Sequence, residues 1–196
     1  AATMTESYAA TLDPDDEPVG VERTVATSTH GMALSGRVDR IDRRRSEDGG
    51  EELVIVDYKT GRRPLTDDDA RSSLALAVYV VAAARTLRTR SRRVELHHLP
   101  TGTVAAHEHT PESIERHLSR AGDIAAEAAA AEAEWKARLR PLAEDAEAGD
   151  ADAIEAIDAV LPPSPSPACS WCDHRRWCPT GRDASHELDP WSGLAE

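Results

Sequence analysis

Three side chains in one stretch have types and spacing suited to chemistry: Asp39 in Gly36-Arg37-Val38-Asp39-Arg40-Ile41-Asp42, and Asp57 with Lys59 in Leu53-Val54-Ile55-Val56-Asp57-Tyr58-Lys59-Thr60-Gly61. Asp57 and Lys59 are two residues apart in a run of β-branched residues. Side chains alternate across a strand, so these two project from one face. A hairpin that brings Asp39 alongside gives two carboxylates, which can hold a hard cation such as Mg²⁺ or Mn²⁺ together with several waters. A lysine beside that cation can orient a water and stabilise charge developing on a phosphoryl oxygen. The plainer reading is a surface hairpin with a chance ion pair.

A second group lies near the C-terminus, where Cys169, Cys172 and Cys178 have the spacing Cys-x2-Cys-x5-Cys. An odd number of clustered cysteines is a poor disulfide framework and a good metal-ligand pattern. Zinc and [4Fe-4S] clusters both take four ligands, and the chain has only three cysteines. One ligand is thus missing from the cysteines themselves, and His174 is a candidate to complete a zinc site. Trp171 and Trp177 flank the group and can bury large apolar areas.

The elements that must position these residues follow from pattern. The runs around Glu47-Asp48-Gly49-Gly50 read as strand, turn and strand, and Pro18 to Thr29 adds a strand joined through His30-Gly31. The first sixty residues thus form a three-stranded antiparallel meander. Thr66 followed by Asp67, Asp68 and Asp69 starts a helix to about Leu87, with Leu74, Val78, Val81 and Ala82 as its buried face and Tyr79 among them. Strands over 93–99 and 103–108 form a second hairpin. His97, His98, His107 and His109 lie on or beside it and are expected to be exposed or hydrogen-bonded rather than zinc ligands. Thr110-Pro111-Glu112 opens a long Ala- and Glu-rich helix to about Ala146, with Ile114, Leu118, Ile124 and Trp135 as a thin apolar stripe. A short helix over 150–161 precedes a stiff linker, Pro162 to Pro167. Residues 1–17 are small, polar and acidic and read as a flexible, frayed leader without chemistry. The expected organisation is that leader, a core over 18–161, and a Pro-rich linker with a Cys-rich metal tail over 162–196.

At 196 residues the chain suits one domain, and a formal charge of −13 argues against a protein that coats nucleic acid non-specifically. Arginines at 43–45, 62–63 and 85–93 are expected to flank the Asp39/Asp57/Lys59 site as a basic rim for phosphates. Glu22 is a candidate further acidic ligand, the alternative being an exposed strand glutamate. No apolar run approaches the ~20 residues of a membrane span and no secretory segment is evident, so a cytoplasmic protein is expected.

Gly-x-x-Asp-Arg-x-Asp followed by a strand ending Val-Asp-Tyr-Lys-Thr-Gly resembles the core of PD-(D/E)xK nucleases, specifically the RecB-like exonuclease branch. The resemblance implies a restriction-endonuclease-like α/β fold, a mixed, mainly antiparallel sheet flanked by helices, with a Cys-rich C-terminal segment. It implies that Asp39, Asp57 and the Tyr58 carbonyl hold Mg²⁺ or Mn²⁺, that Lys59 is the catalytic lysine, and that Arg40, Asp42 and Gly61 support them. In that branch the helix after the lysine resembles Gln-x-x-x-Tyr; Tyr79 falls on the tyrosine and is the implied catalytic residue of this helix, while Ala75 stands at the glutamine, so a DNA or active-site role for the helix rests on Tyr79 alone. Cys169, Cys172 and Cys178 resemble three of four ligands of the branch's [4Fe-4S] cluster, the fourth coming from an upstream helix. The implied activity is metal-dependent hydrolysis of DNA, single-stranded or at duplex ends, in repair or recombination, with a helicase or other repair protein as a possible partner. A non-catalytic DNA-binding or assembly module that keeps the fold and cluster is the alternative.

Overall fold

In the computed structural model, which describes residues 2–12, 18–46, 49–145 and 150–185, five strands form one sheet in the order β1-β2-β3-β4-β5. The strands are β1 (Gly20–Thr29), β2 (Met32–Arg45), β3 (Glu51–Lys59), β4 (Ser91–His98) and β5 (Thr103–Glu108). β3 and β4 are parallel and the other neighbours antiparallel, so the sheet is mixed and mainly antiparallel as the resemblance implied. The meander and the second hairpin both form. Between β1 and β2 the two turn residues have positive φ, 51° at His30 and 73° at Gly31, the conformation that matches the twist of a tight hairpin.

β3 is the centre of the sheet because it is apolar on both faces. Leu53 and Ile55 enter the core with Ile41 and Val94, while Val54 and Val56, on the opposite face, are equally inaccessible. Burying each such side chain stabilises the fold by about 1.5–3 kcal/mol. The covering element is helix α3 (Leu74–Leu87), which buries Leu76, Ala77, Val80, Ala82 and Ala83. This corrects the expected face. Leu74, Val78 and Val81 are only half-buried, and the single helix expected from Thr66 to Leu87 is two. Helix α2 (Asp67–Ser72) has a capping box between Thr66 and Asp69; Ser73 then takes extended dihedrals and accepts the Leu76 N–H, capping α3.

The stretch expected as a frayed leader holds a helix, while residues 13–17 of it lie outside the described residues. Residues Ala2–Ala9 form helix α1, which brings Tyr8 edge-on to Tyr58, with ring centroids 5.4 Å apart. The long helix after Pro111 runs as α4 (Pro111–Glu134), a π-helical turn Trp135–Leu139 and α5 (Arg140–Asp145). Only Ser113, Leu118 and Ala121 are buried in α4, and Ile124 is half exposed.

The chain divides into two compact units, residues 1–126 and 127–196. The second holds α6 (Ala151–Val160), two 3₁₀ turns (Pro167–Trp171 and Arg175–Trp177) and α7 (Pro179–Asp183). Within it Trp171 and Trp177 are 78% and 65% exposed, contrary to the buried role expected of them, and the Arg176 guanidinium lies 4.0 Å above the Trp177 ring.

Candidate active site

The C-terminal end of β3 assembles the sequence-predicted groups. β2 and β3 are paired through Arg40↔Val56, and one further step of that register sets position 39 opposite position 57. The ladder stops there. Instead of a backbone partner on β2, the Tyr58 N–H donates to Asp39 Oδ2 at 2.9 Å, which fastens the Asp39 carboxylate to the strand that carries Asp57 and Lys59. Lys59 Nζ lies 2.5 Å from Asp57 Oδ2. The Lys59 side chain is 45% exposed, so this pair adds at most about 1 kcal/mol to stability. Asp57 Oδ2 is buried and has no hydrogen bond of acceptable geometry, the lysine contact being close but not aligned as one.

The loop after Lys59 is anchored from β4. Leu99 N–H donates to the Lys59 carbonyl at 2.9 Å. His98, 1% exposed, donates from Nε2 to the Gly61 carbonyl at 2.6 Å and accepts at Nδ1 from the Thr101 hydroxyl at 2.7 Å. Sequence reasoning left this histidine without a role; its alternation opposite His97 was the available signal.

Tyr79 packs on the core from α3, and it explains Gly36. A Cβ at position 36 would stand 2.2 Å from Tyr79 Cε1, so β2 can pass the ring only as glycine. The side chain thereby braces the strand that carries Asp39. Glu22 stands opposite Asp39 in the β1–β2 register, with a φ of 47° that is unusual for a non-glycine residue. Its carboxylate is paired with Arg37 at 2.5 Å, which favours the exposed-strand reading.

Arg40 and Asp42 belong elsewhere. They join a charge network on the sheet face away from α3, where Asp42 pairs with Arg40 at 2.5 Å and Arg44 at 2.9 Å, and Arg44 reaches Glu95 at 2.8 Å. Arg93 and His97 also donate to Glu95, and the Tyr8 hydroxyl donates to His97 Nδ1 at 2.8 Å. Burial opposes the Glu95 charge, but hydrogen bonds from His97, Arg44 and Arg93 outweigh it and hold the carboxyl well below the usual carboxylate range. Tyr8 and Glu95 were not predicted; the alternation Arg93-x-Glu95-x-His97 was a local sign of one charged face.

The basic rim is corrected as well. Arg44, Arg45, Arg90, Arg92 and Arg93 line a concavity of about 410 Å³ with Glu52 and Glu108, near the start of β3 and so at the other end of the strand from Lys59. Arg62 and Arg63 alone directly follow the lysine, and Arg63 pairs with Asp69 at 2.9 Å.

No three of the described His, Cys, Asp and Glu side chains are grouped to hold a metal ion. For Mg²⁺ or Mn²⁺ this is no obstacle, since such ions are held by one or two carboxylates and keep several waters. A buried carboxylate oxygen without a hydrogen bond, next to a second carboxylate, fits that group. The cysteines do not fit theirs: Cys169 Sγ accepts from Ser166 N–H and Cys178 Sγ from Gly181 N–H, both at 3.3 Å, Cys172 is exposed, and the three do not converge with His174 or another donor among the described residues. His97, His98 and His109 are hydrogen-bonded, as expected of them. No described helix is long and apolar enough to cross a membrane.

No curated protein matches the chain. The family model of the PD-(D/E)XK nuclease superfamily matches residues 1–179, which span α1, the whole sheet with Asp39, Asp57 and Lys59, and all three cysteines. With that match over most of its length, on a mixed sheet flanked by helices, the chain belongs to the PD-(D/E)XK nuclease superfamily.

Proposed function

We propose that the chain is a Mg²⁺- or Mn²⁺-dependent deoxyribonuclease of the RecB-like branch, acting as an exonuclease on single-stranded DNA or duplex ends in repair or recombination. The observation that carries this reading is the buried Asp57 Oδ2 without a hydrogen bond, beside Lys59 and opposite Asp39 one register step beyond the last β2–β3 pair. Asp39, Asp57 and the Tyr58 carbonyl would hold the cation, which when bound supplies a Lewis acid for the phosphodiester and an activated water. Lys59 contributes an ammonium that orients the attacking water and neutralises charge on the phosphoryl oxygen, and Tyr79 keeps β2 in place. Residues 18–161 form the nuclease core in this reading. The cysteines of the tail over 162–196 serve structure rather than the hydrolytic step, and the protein works in the cytoplasm beside a helicase or other repair protein.

A non-catalytic DNA-binding or assembly module is the second reading, favoured by Ala75 at the position where the branch pattern has glutamine. Digestion separates them. End-labelled single- and double-stranded DNA incubated with the chain should shorten progressively with Mg²⁺ or Mn²⁺ and stay intact with EDTA. DNA that is bound but left intact in both metals supports the module and overturns the nuclease.

A further inference from the structure

A second concavity, of about 390 Å³, is built entirely within residues 1–126, where the last turn of α2, the edge strand β5 and the start of α4 meet. Arg116, His117 and Arg120 lie on one stripe of α4 at helical spacing, facing Arg71 and Ser72 from α2 and His107 from β5. No carboxylate lines it. In a chain of formal charge −13, a wall of three arginines and two histidines without an acid is a specific arrangement rather than an average surface.

The nearest acids are occupied or set back. Asp67 Oδ1 accepts the Ala106 N–H at 2.8 Å, and Asp68 pairs with Arg71 at 2.5 Å where both are largely solvated, a pair of little strength. Glu108 pairs loosely with Arg92, and Glu112, one turn before Arg116 on α4, is held by hydrogen bonds from its own backbone N–H and from Thr110 and by the Arg116 charge, which lower its pKa. Arg116 and Arg120 have no ion-pair partner among the described residues, and His117 spends only Nε2–H, on the Arg71 carbonyl at 3.1 Å, leaving Nδ1 unused. The hydroxyl protons of Ser72 and Ser113 go to the Asp68 and Thr110 carbonyls, so the donors left in the cleft are the Arg116 and Arg120 guanidinium forks, whose bidentate geometry matches the oxygens of a phosphoryl group.

We propose that this concavity is a phosphoryl-binding site separate from the Asp39, Asp57 and Lys59 group. Two strand spacings of ~4.8 Å and four residues at ~3.3 Å separate Lys59 from His107, so the two sites stand roughly 16 Å apart across the sheet. Oligonucleotide is the first probe because of the proposed nuclease activity, and only that choice rests on it. Binding is measured in EDTA, where neither cleavage nor a metal at Asp57 enters, so a chain that binds but does not cut leaves this site standing and removes only the nuclease reading.

The experiment uses the full 196-residue chain and a fluorescein-labelled single-stranded 20-mer, followed by anisotropy over a salt series. Arg116→Ala/Arg120→Ala should weaken binding by about tenfold at low salt and make the log–log salt slope shallower by about 0.7–1.4, one to two phosphate contacts on a single strand. Both residues are exposed on a helix, and circular dichroism with the charge-keeping Arg116→Lys/Arg120→Lys variant, expected to retain most of the binding, guards against misfolding. In a parallel arm, inorganic phosphate is titrated against the histidine ring signals in NMR at constant ionic strength. His107 and His117 should move in the wild type and stay still in the alanine variant. Movement with weakened oligonucleotide binding assigns the site to a nucleic-acid backbone, and movement with unchanged oligonucleotide binding assigns it to a small phosphate compound. Still histidine signals together with wild-type oligonucleotide affinity in the alanine variant overturn the proposal.

Discussion

Gly36 and Tyr79 occupy adjoining space so closely that neither can change alone. A methyl at position 36 meets the ring at 2.2 Å, and a half-buried ring packed on the core cannot swing clear cheaply. Gly36→Ala should therefore cost about 1–3 kcal/mol by overpacking. In the double variant with Tyr79→Ala the same methyl should cost much less, because the obstruction is gone. Urea unfolding of the four proteins measures this, and strict additivity would refute the contact. The residues most open to sequence reasoning were those whose geometry is local: Asp57-x-Lys59 must share a face on any strand, and Asp39 is placed by the adjacent hairpin. Tyr8 was closed to it. Its partners Tyr58 and His97 lie 50 and 89 residues away, and nothing in a small polar leader signals a ring that far along the chain.

Among the elements, the break at Ser73 shows what periodicity hides. Apolar residues run at helical spacing through it, so one helix is the natural expectation; Thr66 and its aspartates announce a start, while nothing announces a second start seven residues later. Ser73 supplies one, with Oγ accepting from Leu76 N–H at 3.3 Å. Ser73→Ala should lower stability by about 1 kcal/mol, read as an earlier urea midpoint at unchanged slope, and no change would show the cap to be incidental.

The junction of β5 and α4 carries a pH dependence. His109 is 1% exposed, and burial with the neighbouring His107 and His117 charges lowers its pKa to about 4. Its Nδ1–H bonds Ser113 Oγ, whose own proton goes to the Thr110 carbonyl, and Nε2 is buried without a partner. Between about 4 and the ordinary histidine value of about 6.5 the unfolded chain binds more protons here than the folded one, so stability rises with pH through that window and is lost on acidification. His107, lowered mainly by burial, acts in the same direction. Unfolding midpoints at pH 7.5, 6 and 5 should fall in that order, and His109→Gln should flatten the trend. Glu95 enters only at lower pH, in the carboxylate range, because its folded-state pKa is depressed. An unchanged slope in the variant would remove His109 from the account.

For the whole molecule, the meander and the second hairpin were legible because β-branched runs and turn residues alternate cleanly, whereas the mixed character of the sheet came from the family resemblance; the parallel β3–β4 pair follows a helical connection long enough to return the chain. The division at 126/127 was not, since it falls inside α4, where alanine and glutamate continue helical propensity without interruption. The basic rim differs for a related reason: arginines close to Lys59 in sequence are expected beside it, but a nine-residue strand separates Arg44, Arg45 and Arg93 from it in space. Asp57 and Lys59 sit together at one end of that strand. Asp57→Ala, Lys59→Ala and a control, Arg37→Ala, each checked for folding by circular dichroism, should be compared on one end-labelled DNA in Mn²⁺. The control should keep its rate within a few-fold, whereas Asp57→Ala and Lys59→Ala should lose about 100-fold or more, the loss that follows removal of a transition-state charge contact. Cleavage at the wild-type rate by folded Asp57→Ala or Lys59→Ala would contradict the assignment of the site.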